Sequence, residues 1–535
     1  MGVKTSERLP ALLSAAAVAL VCWTTLIATS APLALVWDEG DTIDRAEVLV
    51  DAASPGPGHF FAAARSGASW PYTVQREGHP PLAGILIALG TAVAPSWLAP
   101  ITAARFGPIT WFALGAGAMF YRLQRDYRVW AVSLMAVAAL LTMPRLFAHA
   151  HYATLDGPLT SASLLTWAAF APACRDWRCT PLFGGALGLT FCAKFTAWLL
   201  PVPFLAWAIL YRDRRAVRTL ALGVLIALAV FVALNPPLWQ SPLSGLRAFF
   251  ELNLHRQARG ELNITTQFFG RMYNLDYPLP WYNSLVWTAI TISPMPLVIG
   301  TLGIVATVRR WRSDPGGMLV VLLWATLIFT RALPWAPPHD AERLILPSFA
   351  FFAALVGIGI GRALYRDTLL QTQKIPAQGW AKVAMVLALL AATFDSIGYF
   401  PFGLSYYNRL IGGLRGAAAL GMEPTYYWDA LDRSTLDWLN ENTPPGQSVG
   451  FGAAPPKNLA LLARWNMLVP PAGQADKAYW YVIQRRPSAL QPADQWLIDH
   501  AQPAWERTLS GVPLLGVYSG DDYRRALQAT RPVAR

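Results

Sequence analysis

The sequence predicts a polytopic α-helical membrane protein that carries a small C-terminal α/β domain. Three observations lead there. Of 535 residues, 54% are hydrophobic and only 14% charged, against about 25% charged in an ordinary soluble domain. Long apolar runs recur through the first 400 residues, and runs near 20 residues match the thickness of a bilayer. From about Pro401 the pattern turns mixed, with short β-like runs between helical ones. The same balance excludes a disordered chain, which needs low hydrophobicity and high charge.

The net charge of +12 does not point to nucleic acid. Basic residues sit in short loops between apolar runs, where they set membrane orientation. No basic, aromatic-interleaved helix is present to track a nucleic-acid backbone. The cysteines give no framework: Cys22 and Cys192 lie in apolar segments, and Cys174 and Cys179 flank a short basic loop without further zinc ligands nearby.

Each element follows in order. Lys4 and Arg8 precede an apolar run from Leu9 to about Val36. It is too long for a secretory h-region and lacks a clear cleavage site, so it is expected as an uncleaved first span with a cytoplasmic N-terminus. The loop 37–79 carries Asp38, Glu39, Asp41, Asp44, Glu47, Asp51 and Glu77 against Arg45, Arg65 and Arg76, an acidic balance that fits the outside. The segment 80–98 is short and bounded by Pro80, Pro81, Pro95 and Pro100; it is read as a juxtamembrane helix that does not cross.

Further apolar segments lie at 101–121, 129–150, 157–173, 181–211, 219–238, 283–308, 317–333, 343–361 and 381–400. The run 181–211 is long enough for two short helices, with a break near Lys194, because Pro201 and Pro203 interrupt a single one. With 80–98 not crossing, the N-terminus and the loops 122–128, 174–180, 211–218, 309–314 and 362–382 all share the cytoplasmic face. Together they hold 18 Lys/Arg against 6 Asp/Glu, which is what the positive-inside rule requires. About eleven spans result. A second outer loop occupies 235–280. Residues 401–535 are expected as an outer α/β domain, with a helix at Thr435–Asn442 and strands at Ser448–Gly452, Ala478–Ile483 and Pro513–Tyr518.

This topology gathers ionisable residues on the outer face. Asp38 and Glu39 end the first span, and Glu77 and His79 precede the juxtamembrane helix. Arg105 starts a span. Arg145, His149, His151 and Asp156 share an outer turn, and Lys194 sits at the break in 181–211. Arg331, His339, Asp340, Glu342 and Arg343 fill another outer loop. Charges at membrane depth are costly and mark function. A single Arg at a span end is more often an interfacial anchor, but carboxylates and cations drawn from distant segments to one face suggest a site for an anionic substrate at the lipid–water boundary.

Three pieces resemble the lipid-linked-sugar glycosyltransferases of the GT-C fold, including the protein O-mannosyltransferases and the bacterial aminoarabinose transferases of lipid A. They are Trp37-Asp38-Glu39, Gly78-His79-Pro80-Pro81-Leu82, and Tyr152-Ala153-Thr154-Leu155-Asp156-Gly157-Pro158. The stretch from His339 to Pro347, with Arg343, is similar to the family's late H-x-x-x-R-hydrophobic-P element. The resemblance spans nearly the whole of residues 1–400. His79 stands where the aminoarabinose transferases carry Lys. The segment 235–280 is too short for the large inserted domain of eukaryotic mannosyltransferases, which argues for a prokaryotic inner membrane with the site facing the periplasm or exterior.

The resemblance implies an inverting transfer of a sugar from a polyprenyl-phosphate donor to a protein, lipid or glycan acceptor. Asp38 is expected as general base, with Glu39 and Asp156 as further catalytic carboxylates. Arg105, Lys194, Arg343 and His79 are expected at the donor phosphate. Glu77, His151 and His339 are expected to position acceptor or sugar. A monophosphate held by Arg and Lys calls for no metal, although so many carboxylates leave a divalent cation open. Tyr426, Tyr427 and Trp428 suit either sugar stacking or the membrane interface, with the interface favoured. The rival classes are a transporter or flippase of a lipid-linked sugar, which needs no carboxylate base, and a membrane scaffold that binds through its C-terminal domain.

Overall fold

The computed structural model of the chain describes residues 8–54, 56, 58, 61–62, 64, 70–73, 78–255, 264–365 and 379–531. Apolar sequence and proline placement together set the helices. The first, Arg8–Ala28, runs along the long helix Pro100–Tyr127, which in turn packs on Asp156–Arg175. Thr180–Phe191 lies between Asp156–Arg175 and Arg214–Ala233. Leu346–Tyr365 takes the centre, touching Trp130–Thr142, Asp156–Arg175, Pro294–Arg309 and Pro315–Arg331. A helix apolar all round must be covered all round, and Phe349, Phe351, Phe352, Leu355 and Ile358 are all buried.

Proline divides several runs that read as continuous in sequence. The segment 129–150 is two helices, Trp130–Thr142 and Pro144–His149, and 283–308 is also two, Asn283–Thr291 and Pro294–Arg309. In each case the proline opens the second helix and the residue before it is extended, as the steric demand of the ring requires. The expected break near Lys194 is present. Helix Thr180–Phe191 ends, Lys194 is extended, and a 3-10 turn Phe195–Leu199 leads into Pro201–Leu210.

The short helix Leu82–Val93 lies against Pro100–Tyr127 at very close range. Gly90 and Gly107 make this approach possible: a Cβ on Gly107 would stand 1.8 Å from the Leu86 carbonyl oxygen. By length and composition, three helical stretches among the described residues are fit to cross a membrane: Leu9–Ala28, Arg214–Ala233 and Arg343–Leu364. Shorter apolar helices, such as Trp130–Thr142 and Pro315–Arg331, accompany them.

The bundle has two chemically distinct ends. At one, described residues of several basic loops come together. Arg362 Nη2 donates to Asp314 Oδ2 at 2.6 Å, the Tyr127 hydroxyl meets the same carboxylate at 3.1 Å, and Arg122 pairs with Asp126 at 3.0 Å. The candidate site lies at the other.

The loop 235–280 holds a helix, Pro242–Leu254, and a small hairpin of β1 (Thr266–Phe268) and β2 (Arg271–Tyr273). The C-terminal part contains a four-stranded sheet in the order β3-β4-β6-β5. Its strands are β3 (Val449–Phe451), β4 (Trp480–Gln484), β5 (Trp505–Leu509) and β6 (Val512–Ser519). β3 is parallel to β4, and the other pairings are antiparallel. The three strands read from sequence are all present, and β5 is an addition. Ser510 and Gly511, both at positive φ (51° and 74°), make the tight turn between β5 and β6, a geometry that fits the twist of paired strands. The stretch 401–432 ahead of the sheet is largely irregular and packs into the bundle, burying Tyr406, Tyr407, Tyr426 and Tyr427.

Candidate active site

The chain leaves the first helix through a series of turns and re-enters helix at Glu39–Ala53, with Asp38 at the boundary. Asp38 does not use its side chain to cap that helix, so the carboxylate is turned elsewhere. Its Oδ2 accepts from Arg343 Nη1 at 2.6 Å and from the Tyr427 hydroxyl at 2.7 Å. The same Arg343 nitrogen donates to the Tyr427 oxygen at 3.0 Å and to Asp156 Oδ2 at 3.3 Å. Asp156 opens its helix, and its other oxygen accepts from Lys194 Nζ at 2.6 Å. Arg343 Nη2 donates to Asp340, and the guanidinium lies over the Tyr427 ring, 4.4 Å from its centroid.

Residues 38, 156, 194 and 343 thus meet at one point. Asp156 is sealed (1% exposed), Arg343 and Lys194 nearly so (9% and 13%), and Asp38 alone is substantially open at 35%. The Nε of Arg343 is buried without a hydrogen-bond partner. Asp340 and Ala341 both sit at positive φ (59° and 47°); such non-glycine strain gathers at functional sites, and here it turns Asp340 back onto Arg343. Burial alone would raise the Asp340 carboxyl, but Arg343 holds it well below the usual carboxylate range. His339, also buried, is pushed down to about 3 by loss of solvent despite the adjacent Asp340.

Glu39 and Arg105 form a separate unit, although Glu39 adjoins Asp38 in sequence. Arg105 Nε and Nη2 each meet a Glu39 oxygen at 2.7 Å. The remaining donors go to the carbonyls of Ser30 (3.0 Å), Leu33 (3.1 Å) and Ala34 (2.6 Å). All five guanidinium N–H groups are therefore engaged. Glu39 also accepts from the backbone N–H of Val36 and Ala153, and both side chains are fully buried. Arg105, expected at the donor phosphate, and Glu39, expected as a catalytic carboxylate, thus have neither a free group nor an accessible surface in this structure. His151 is similarly enclosed, with Nε2 at 2.8 Å from Thr29 Oγ1 and Nδ1 at 2.8 Å from the Phe147 carbonyl. It holds the turn to the first helix and has no face for substrate.

A second buried chain lies beside the cluster. Arg145 Nη1 donates to Glu342 Oε2 (2.7 Å), Tyr426 donates to Glu342 Oε1 (2.8 Å), and His149 Nε2 stands 2.8 Å from the Tyr426 hydroxyl. Arg486, from the turn after β4, donates to the Tyr426 carbonyl, reaches Asp340 at 3.4 Å and covers the Trp428 ring at 4.3 Å. The tyrosines read from sequence as interfacial are thus fully enclosed and hold the site's charges in place. The sequence marks Tyr427 only as an interfacial aromatic and does not mark Arg486 at all, because nothing in a local pattern ties either to its distant partners. His79 is half-buried, and Glu77 lies outside the described residues. Among those described, no three His, Cys, Asp or Glu side chains gather as a metal site; Arg343 stands between Asp38 and Asp156 instead.

A narrow, mostly apolar crevice lies within the bundle, lined by Leu159, Thr196, Leu200, Leu323, Leu327 and Phe351 among others.

Comparison with known proteins agrees with this architecture. The family described as dolichyl-phosphate-mannose-protein mannosyltransferase matches residues 78–238, the stretch holding His79, Asp156 and Lys194. No curated protein matches the sequence. Among solved structures, ArnT from Cupriavidus metallidurans bound to undecaprenyl phosphate aligns over 94% of this chain and 97% of its own, at 15% identity and a TM-score of 0.51. The same protein in the apo state aligns over 95% and 98%, again at 15% identity, with a TM-score of 0.50. The chain therefore has the GT-C fold, as the resemblance of its motifs implied.

Proposed function

We propose that the protein is an inverting glycosyltransferase that moves a sugar from a polyprenyl-phosphate donor to an acceptor on the outer face of a prokaryotic inner membrane. The observation that carries this reading is the open carboxylate of Asp38, held against Arg343 within a cluster otherwise closed to solvent. An acceptor hydroxyl reaching Asp38 gives up its proton there as its oxygen attacks the anomeric carbon. The bond to the lipid phosphate breaks on the opposite side of that carbon, so configuration inverts.

Negative charge then grows on the leaving phosphate, and fixed cations where charge develops are the efficient catalyst. Lys194 and Arg343 are the two cations at the site. Asp156 joins them, since Lys194 takes one of its oxygens and Arg343 the other. We assign His79 and His339 to the margins of the donor phosphate and sugar. Glu39, Arg105 and His151 are assigned to the scaffold. The ArnT structure that shares the fold holds undecaprenyl phosphate, which supports a polyprenyl-phosphate donor. The orientation, about eleven spans with the basic end in the cytoplasm, remains part of this proposal, as does the outer placement of the C-terminal α/β region.

The test is release of polyprenyl phosphate by purified protein in lipid, offered undecaprenyl-phosphate-linked mannose and 4-aminoarabinose among a panel of such donors. Asp38→Asn should lower turnover by about 10²–10⁴-fold, the usual contribution of a positioned base, while the protein folds and still binds donor. Transfer at the wild-type rate by this variant would remove the base assignment. Transbilayer movement of donor without any release would favour a flippase.

A further inference from the structure

We infer that Asn458 is a positioning residue for Asp38, so that the C-terminal α/β region completes the active site. This rests on the assignment of Asp38 as base. The first N–H groups of a helix lack partners within it, and in helix Glu39–Ala53 the Gly40 N–H is met from far away. Asn458 Oδ1 accepts from Gly40 N at 2.8 Å, and Asn458 Nδ2 donates to the Val36 carbonyl at 2.8 Å. One carboxamide therefore clamps the backbone two residues before Asp38 and two residues after it. Asn458 is 4% exposed, so water does not compete for these bonds.

Gly40 is shaped for this contact. A Cβ there would stand 2.2 Å from Asn458 Oδ1 and 2.6 Å from the Asn458 backbone nitrogen. A further anchor comes from the same part of the chain: the Trp37 N–H donates to the Tyr427 carbonyl at 3.1 Å, and the Tyr427 hydroxyl donates to Asp38 itself. The rim of the interface is different in kind. Lys457 pairs with Asp41 and Asp44 at 2.7 Å each, and Arg464 pairs with Glu47, all of them half-exposed. Such pairs contribute little; they hold helix Pro456–Arg464 against the acidic helix without touching the turn that bears Asp38.

The contrast between clamp and rim makes the inference testable in the full-length protein. With whichever undecaprenyl-phosphate sugar the wild type turns over, Asn458→Ala should lower kcat about 10–100-fold with KM for the donor unchanged, since displacing a reacting group by about 1 Å has costs of that size. Asn458→Asp keeps the shape and the acceptor for Gly40 but loses the donor to Val36, and should fall between. The rim variants Lys457→Ala and Arg464→Ala should stay within twofold of wild type. Hydrogen exchange supplies a readout that needs no substrate: Asn458→Ala should speed exchange in the peptide spanning 36–42 while the peptide 456–464 stays protected. Unchanged kcat in both Asn458 variants, or unchanged exchange at 36–42, overturns the inference. So does a loss equal in clamp and rim variants, which would mean docking alone. An active Asp38→Asn fails the underlying reading instead, and is recognised separately.

Discussion

Arg343 shows how one side chain can organise a site. Its fork reaches Asp38, Asp156 and Asp340 at once and lies over the Tyr427 ring. An ammonium is a point charge on a flexible stem and does not reproduce a planar fork. Arg343→Lys should therefore lower turnover by at least tenfold at unchanged net charge, checked in the same donor-release assay. Arg105 predicts the opposite kind of defect. Removing it strands the buried Glu39 carboxylate, and breaking a buried pair in this way costs about 3–5 kcal/mol. Arg105→Ala should appear as a lowered melting temperature and poor yield, with donor KM near normal in the protein that folds; a stable variant with raised donor KM would return Arg105 to the phosphate. Asp429 gives a pH dependence. Burial lifts its carboxyl from 3.8 to about 6, so the folded state holds a proton that the unfolded chain has released. The stability this contributes is complete below about pH 4 and is lost as pH rises through about 6. Asp429→Asn should flatten that part of the melting temperature's pH profile, and an unchanged profile would count against it.

At the scale of elements, the close crossing of Leu82–Val93 and Pro100–Tyr127 is the most demanding contact described. Backbone faces backbone at Gly107, so no side chain can yield. Gly107→Leu should destabilise by about 3 kcal/mol or more, toward the upper end of overpacking, read as a lower melting temperature in detergent. Much of the element pattern was legible. The break at Lys194, the short helix after His79 and three of the four C-terminal strands follow from proline, hydrophobic period and turn residues. Strand β5 escaped notice because Trp505–Leu509 alternates half-buried and exposed residues, a weak pattern beside the apolar β6. The site was legible in its carboxylates and cations, since Asp38, Asp156, Lys194 and Arg343 all stood on one expected face. Its partition was not. Sequence shows Glu39 beside Asp38 but not that Arg105 and three carbonyls enclose it. Nor can it show that Tyr427 bonds a carboxylate 389 positions away.

At the scale of the whole molecule, the basic loops and the acid-bearing turns stand at opposite ends of the same helices. If the proposed orientation holds, Cys179, in the basic end, should react with a membrane-impermeant maleimide only in inside-out vesicles. An engineered Gly473→Cys, at an exposed position in the C-terminal part, should react only in right-side-out ones. Labelling of both from one side would overturn the topology.

The central helix Leu346–Tyr365 is tethered at both extremities. Arg343, just before it, is bound to the aspartates of the site, and Arg362, in its last turn, to Asp314 at the far end. The 19 residue steps from one to the other span roughly 28 Å at 1.5 Å per residue, close to the hydrocarbon thickness of a bilayer, about 30 Å. Under the proposed function, a rod fastened in this way would act as a gauge, setting the height at which the sugar is handed over relative to the opposite leaflet. Reconstitution in lipids of graded chain length should therefore give a turnover optimum at matching thickness, because the lipid must bring its phosphate to a plane the protein cannot shift.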